Sequence, residues 1–162
     1  MRKIIITSLI LVILTISIIG FIYFNYQSDI EAINNIKVNL NDVKKPYDIT
    51  YTSFKLNFDV EISNPSDRNI VDLSTDFKIY IEDNYVGEGN FSKVNIPNNS
   101  NISKDVIVKI YYSGLADAVV DLINRIIDEG KFKLEIKGTI YAKALFGWSI
   151  IEQSYIATKI YQ

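Results

Sequence analysis

Ile4 to Phe24 is a run of 21 residues without a charge, relieved only by Thr7, Ser8, Thr15, Ser17 and Gly20. A helix rises about 1.5 Å per residue, so this run spans roughly 30 Å, the thickness of a bilayer's hydrocarbon core. Its apolar residues cover every face, whereas a helix resting on a soluble core is apolar along one stripe. Residues 1–28 are therefore expected to form an N-terminal transmembrane anchor, its helix at about 4–24. A cleaved signal peptide has a shorter apolar centre followed by small residues. Here the run ends Ile19-Gly20-Phe21-Ile22-Tyr23-Phe24-Asn25-Tyr26, with large side chains where cleavage needs small ones. A lipid on an N-terminal cysteine is excluded, since the chain has no cysteine. Arg2 and Lys3 precede the run, Asp29 and Glu31 follow it, and Tyr23, Phe24 and Tyr26 suit the interfacial aromatic belt. The positive-inside rule then predicts a single-pass protein of the cell membrane, amino terminus cytoplasmic and domain extracellular.

The 162 residues leave 134 after the anchor, enough for one domain that buries a core without staples. Beyond residue 28 there are 15 basic and 19 acidic residues, a balance of −4 that argues against a nucleic-acid partner. Zero cysteine and zero histidine remove disulfides, thiolate nucleophiles, the commonest metal ligands and the commonest general base.

Residues 29–34 read as a short tether or a helical continuation of the anchor, and 35–162 as the folded domain. There the hydrophobic period changes to two. Ile36, Val38 and Leu40 alternate with polar residues, and Phe54, Leu56, Phe58, Val60 and Ile62 alternate with Lys55, Asn57, Asp59 and Glu61. Such alternation marks strands with one face in a core and one in water. Further strands are predicted at Ile70 to Glu82, Tyr85 to Gly89, Ile102 to Tyr112, Lys131 to Ala142 and Ile150 to Ile160, with a hairpin at Asp83-Asn84 and a loop at Pro97 to Asn101. Gly87 and Gly89 suggest a bulge or a close backbone approach. One helix interrupts them: Ser113 as cap, Leu115, Val119, Leu122, Ile123 and Ile126 at helical spacing, Gly130 as terminator. Seven strands and one helix predict two antiparallel sheets packed face to face, with the helix closing one edge or end.

Catalytic constellations fail on residue type. There is no G-x-S-x-G elbow, phosphate-cradling glycine loop or dinucleotide fingerprint. Asp59 and Glu61 share a strand face, which reads as a solvated surface. Asp67, Asp72, Asp76 and Asp83 miss the calcium-loop spacing. The expectation is a non-enzyme without metal or cofactor. Asn90-Phe91-Ser92, Asn98-Asn99-Ser100 and Asn101-Ile102-Ser103 are glycosylation sequons, relevant if the domain is outside the cell.

Phe58-Asp59-Val60-Glu61-Ile62-Ser63-Asn64-Pro65-Ser66 is an alternating strand ending in Asn-Pro. It is followed by Phe77-x-Ile79-Tyr80-Ile81, Val86-Gly87-x-Gly89, Ile96-Pro97-x-x-Ser100 and Leu134-x-Ile136-x-Gly138-x-Ile140. In this order the pieces resemble the type 2 late embryogenesis abundant (LEA) proteins, whose domain is also called the water stress and hypersensitive response (WHy) domain. The resemblance covers about residues 35–160 and departs from the family at Ser66, where a second Asn is frequent. It implies a fibronectin type III-like β-sandwich with one helix and no catalysis. By the same resemblance Asn64 and Pro65 form the turn after the first long strand, and Gly87, Gly89 and Gly138 are backbone-geometry positions. It also implies desiccation and stress tolerance. The function expected is a membrane-anchored protective or partner-binding module that meets envelope components at the cell surface. The alternative is a membrane-proximal lipid-binding or lipid-transfer module, with an acyl chain admitted between the sheets or beside the helix.

Overall fold

The structure is a computed structural model and describes every residue except Met1, Ala116, Gly130 and Gln162, and not the side chains at 2–4, 118 and 127–129. Helix α1 (Arg2–Asn34) is followed by β1 (Lys37–Val43), β2 (Ser53–Asn64), β3 (Ile70–Ile81), β4 (Asn84–Ile96) and β5 (Ser100–Tyr111). Helix α2 (Asp117–Glu129) then leads to β6 (Phe132–Ala144) and β7 (Ser149–Tyr161).

All pairings are antiparallel, in a three-stranded sheet of order β1-β2-β5 and a four-stranded sheet of order β4-β3-β6-β7. This is a fibronectin type III-like sandwich with a helix inserted before β6. The alternation in the sequence decides which side of each strand is inward. Phe54, Leu56, Phe58, Val60 and Ile62 of β2 are fully buried, and face Leu73, Phe77, Ile79 and Ile81 of β3 and Leu134, Ile136 and Ile140 of β6 within one core. Phe58 meets Phe77 edge to face across the sheets, with ring centroids 6.3 Å apart. Of the eleven tyrosines, Tyr26, Tyr112, Tyr155 and Tyr161 pack half-buried against this core, while others such as Tyr51 and Tyr111 are exposed.

The sandwich has two ends. One carries the β2–β3, β4–β5 and β6–β7 connections and receives α1; the other carries the β3–β4 hairpin, the long β1–β2 loop and α2. Val119, Ile123 and Ile126 turn the apolar stripe of α2 into the core at that far end. The Gly130 terminator expected for this helix lies outside the described residues. Ser113 does not cap it. Ser113 belongs to a separate 3-10 turn, Tyr112–Gly114, closed by the Leu115 N–H donating to the Tyr112 carbonyl at 2.9 Å.

Other local expectations shift as well. The β3–β4 hairpin turns at Glu82-Asp83, both in the left-handed region (φ 47° and 66°), one residue before the expected Asp83-Asn84, because Ile81 already pairs with Asn84. The loop expected at Pro97 to Asn101 is shorter, since Ser100 and Asn101 already pair with Asn64 and Ser63. Asn57, expected to face water, is only 8% exposed: the chain after β1 folds over it, with Lys44 N–H donating to the Asn57 carbonyl at 2.9 Å and Tyr47 bridging to Lys55.

The three glycines of the resemblance occupy different environments. A Cβ on Gly138 would sit 2.6 Å from the Asp76 carbonyl oxygen, 2.7 Å from the Tyr155 hydroxyl and 2.8 Å from Phe77 Cβ. The bare backbone there lets Tyr155 cross β6 and reach Thr75 Oγ1 on β3, 3.0 Å away. A Cβ on Gly89 would meet the Phe77 ring at 2.7 Å, whereas one on Gly87 finds only Ile110 at an ordinary 3.7 Å. The ladder slips beside Gly87, where Ile79 pairs with Gly87 and Tyr80 with Tyr85. Gly138→Ala is expected to cost about 3 kcal/mol or more, Gly89→Ala about 1–3, and Gly87→Ala under about 1, by the overpacking rule. Urea unfolding of the full chain in detergent, followed by far-UV circular dichroism, checks this order.

Burial pushes the Tyr155 phenol up to about 12, with the Thr75 hydrogen bond opposing and the charge of Asp76 adding to the shift. A phenol raised above its unfolded value near 10 contributes stability that is whole below pH 10 and lost as pH climbs through about 12. The loss is expected to reach about 2–3 kcal/mol, and Tyr155→Phe to flatten the unfolding curve in that window.

Candidate functional site

The end of the sandwich that receives α1 concentrates the polar side chains with the most partners. α1 does not stop where its uncharged run stops. Residues 29–34, for which a tether or a helical continuation was expected, are its last turns, with Ala32 and Ile33 each 2% exposed. Ile33 and the following Ile36 belong to the sandwich core. Burying such side chains contributes about 1.5–3 kcal/mol each, enough to make the helix end a part of the domain.

Polar bonds fix how the helix lies. Asp29 Oδ2 accepts from the Leu145 N–H at 2.9 Å, where β6 turns toward β7. Arg68, in the β2–β3 turn, donates from Nη2 to Asn25 Oδ1 at 3.0 Å, and its Nη1 lies 3.8 Å from Asp29 Oδ1. Gln153 Nε2 of β7 donates to the Asn34 carbonyl at 2.9 Å, supplying a partner to the helix's carboxyl end. Asn25, Asp29, Ala32 and Ile33 then form one wall of a hollow of about 410 Å³ between α1 and the sandwich, with Arg68, Lys143 and Phe146 opposite.

Asn64 holds the neighbouring turns together. It is fully buried at the end of β2. Its Nδ2 donates to the carbonyls of Arg68 at 2.7 Å and Pro97 at 3.0 Å and approaches that of Ile96 at 3.4 Å. Its Oδ1 accepts from the Ser66 N–H at 3.1 Å and the Ser66 hydroxyl at 2.6 Å. The β2–β3 and β4–β5 turns are thus tied through one side chain, and Asn99 N–H adds a bond to the Ser66 carbonyl at 2.8 Å. Pro65 is exposed and, lacking an N–H, ends the strand. Ser66, the departure from the family pattern, serves the turn with its hydroxyl, which also lies 3.3 Å from the Arg68 N–H.

Of the sequon asparagines, Asn98 and Asn101 are exposed at this same end, in the β4–β5 turn and at the start of β5, while Asn90 is exposed in the middle of β4. Asp59 and Glu61 do lie on the outer face of the three-stranded sheet; Asp59 is in register with Asp42 and Asp105, and Glu61 Oε2 accepts from Asn41 Nδ2 at 2.9 Å. No group of three or more acidic side chains among the described residues is disposed to hold a metal ion. Lysines hold four carboxylates below their ordinary values by hydrogen bond and charge: Asp48 by Lys55, Asp72 by Lys143, Asp83 by Lys133 and Glu135 by Lys137. Three of these pairs lie at the surface, while Glu135 is buried at 8% exposure beneath Lys137 and Lys133.

No family model and no curated protein matches the chain. Among solved structures it is similar to the solution structure of an Arabidopsis thaliana protein, with a TM-score of 0.51 at 15% identity over 78% of this chain and 77% of that one. It also aligns with a protein from Archaeoglobus fulgidus (TM-score 0.45, 14% identity, 76% of this chain and 97% of that one). A third is described as a candidate LEA protein (TM-score 0.47, 13% identity, 90% and 84%). The first of these likenesses is one of fold, at an identity that carries no function.

The sequence pointed to Asn64 as a turn residue but not to its partners in the β4–β5 turn, nor to Asn25, Asp29 and Arg68, which lie 39 or more positions apart across the seam. Asn64→Ala is expected to leave the Arg68 and Pro97 carbonyls short of a donor and cost about 2–4 kcal/mol. Asn64→Asp is expected to cost at least as much, because a carboxylate would face those same carbonyls. Thermal melts of the full-length variants in detergent measure both.

Proposed function

We propose that the chain is a membrane-anchored, non-enzymatic module of the LEA type 2 (WHy) kind, held at the outer surface of the cell membrane as a protective or partner-binding domain. The observation that carries it is the continuity of α1. The helix is long and apolar enough to cross a bilayer over Ile5–Asn34, and the same helix ends inside the sandwich core with no linker. The end of the sandwich that receives α1 is then held beside the headgroups, while the α2 end stands off by the length of strands of 12 or 13 residues, about 40 Å.

Two further points support this reading. The Asn-Pro turn and Gly138 on which the resemblance rests are the residues whose side-chain bonds, or whose lack of a Cβ, the fold uses. Among the described residues, the carboxylates with displaced ionisation are each lowered by a lysine beside them, and none is raised toward the range of a proton donor. The full chain in dye-loaded liposomes is expected to lower dye leakage after drying and rehydration. Leakage equal to that of protein-free liposomes would contradict the protective role.

A second reading, a lipid-binding module, has its own observation. Ile49, Thr50 and Tyr51 of the β1–β2 loop, Tyr112, and Val120 and Asn124 of α2 border a hollow of about 570 Å³ at the far end of the sandwich. The space between the sheets, by contrast, is filled by Phe54, Phe58, Leu56, Ile79 and Ile136, all fully buried. If an acyl chain binds, it binds beside α2. Native mass spectrometry of the full chain is then expected to show one retained lipid that Val120→Trp abolishes; no retained lipid would remove this reading.

A further inference from the structure

The 3-10 turn Leu145–Gly147, with Trp148, joins β6 to β7 at the end of the sandwich that holds α1. Phe146 is 77% exposed and Trp148 83%, and Ile150 follows at 64%. Three successive residues have positive φ: Leu145 at 50°, Phe146 at 58° and Gly147 at 90°. For residues with a Cβ that region is costly, and strain of this kind persists only where surrounding contacts impose it. Here Asp29 accepts from Leu145 N–H, and Trp148 N–H donates to the Leu145 carbonyl at 3.1 Å. A strained loop that offers its two large rings to water contributes nothing to the core of an isolated domain.

Its position gives it a second environment. Asp29 lies five residues, about 7.5 Å of helix, beyond Phe24, the last residue of the apolar run. The Gln153 bond to Asn34 and the Leu145 bond to Asp29 show that going back along β7 runs in the same sense as going back down α1. From Gln153 to Ser149 the strand covers about 13 Å, and from Asn34 to Phe24 the helix covers about 15 Å. Among the described side chains of the run, Ile22 is 38% exposed and the other large apolar ones are at 49% or more. Phe146 and Gly147 share the hollow beside α1 with Asn25 and Asp29, so the turn stands next to the helix one residue past Phe24.

We propose that residues 145–148 form a second membrane contact, with Phe146 and Trp148 seated in the headgroup and upper acyl region of the leaflet from which α1 emerges, level with Tyr23 and Phe24. This rests on the reading of α1 as a membrane span. Aromatic rings, and tryptophan above all, favour that zone. Charge does not drive the contact. The two basic side chains bordering the adjacent hollow already face carboxylates, Arg68 with Asp29 at 3.8 Å and Lys143 with Asp72 at 2.7 Å. Burial of apolar rings is what holds the loop, so the contact is indifferent to salt and to anionic lipid. A helix and a loop together fix the rotation of the sandwich about the helix axis.

Trp148 is the chain's only tryptophan, so its fluorescence reports on this loop alone. The full chain is placed in nanodiscs of phosphatidylcholine and quenched from water by iodide and from the bilayer by lipids brominated at shallow or deep acyl carbons. A fluorophore on Ile13→Cys, in a chain with no native cysteine, reports the span independently. Iodide quenching of Trp148 is expected to fall at least about threefold below that of free tryptophan, with shallow bromines quenching more than deep ones. The bromine quenching should be unchanged by salt or by added phosphatidylglycerol, and Phe146→Ser should raise iodide access. Full iodide access and no bromine quenching, with the label at residue 13 still deep, would overturn the contact and leave the anchor standing. A label at residue 13 exposed to water would overturn both.

Discussion

Everything at the helix-bearing end of this protein depends on the absence of a linker between an apolar helix and a β-sandwich. A membrane span and a soluble domain are normally joined by chain free to reorient, and their separate stabilities do not meet. Here Ile33 on the helix and Ile36 just past it are core residues of the sandwich, and Asp29 accepts a backbone bond from the turn between β6 and β7. Lost hydrogen bonds and exposed core side chains would both oppose separating the two parts. The domain's orientation is consequently a property of its fold.

The turns that surround the helix are themselves cross-linked. Asn64 supplies both halves of its amide to backbone groups in two different connections, so the β2–β3 turn that presents Arg68 to the helix is held by the β4–β5 turn. A buried polar side chain with every group satisfied adds specificity where an apolar one would add only volume. The chain of dependence runs from β2 through Asn64 to Arg68, and from Arg68 to Asn25 and Asp29 on α1. At the other end, α2 covers the core with an apolar stripe and leaves its polar face to water, so the two ends differ in kind.

Much of this was legible in the sequence because it follows from periodicity. Alternation in Phe54 to Ile62 and in Phe77 to Ile81 identified the inward faces, and an uncharged run of 21 residues identified the helix. Non-local bonds left no such trace. Asn25 and Asp29 look like ordinary polar residues after an apolar run, and Arg68 like an ordinary turn residue, because what pairs them is the closure of the sandwich. Turn positions erred by a residue where left-handed backbone was adopted by Glu82 and Asp83, residues that carry no glycine signal. Asn57 was misplaced for a related reason: strand alternation says which side faces away from the core, and not whether a loop later covers that side.

The rigid junction is tested most directly by a distance between helix and sandwich in a bilayer. Spin labels at Gln27→Cys on α1 and Glu152→Cys on β7, both exposed positions in a chain without native cysteine, can be measured by pulsed electron resonance in nanodiscs. A single narrow distance distribution, broadened by Asp29→Ala together with Arg68→Ala, is the expected result. A broad distribution in the unaltered sequence would show that the sandwich swings freely on its helix, and would contradict the fixed seam on which the proposed membrane-surface role stands.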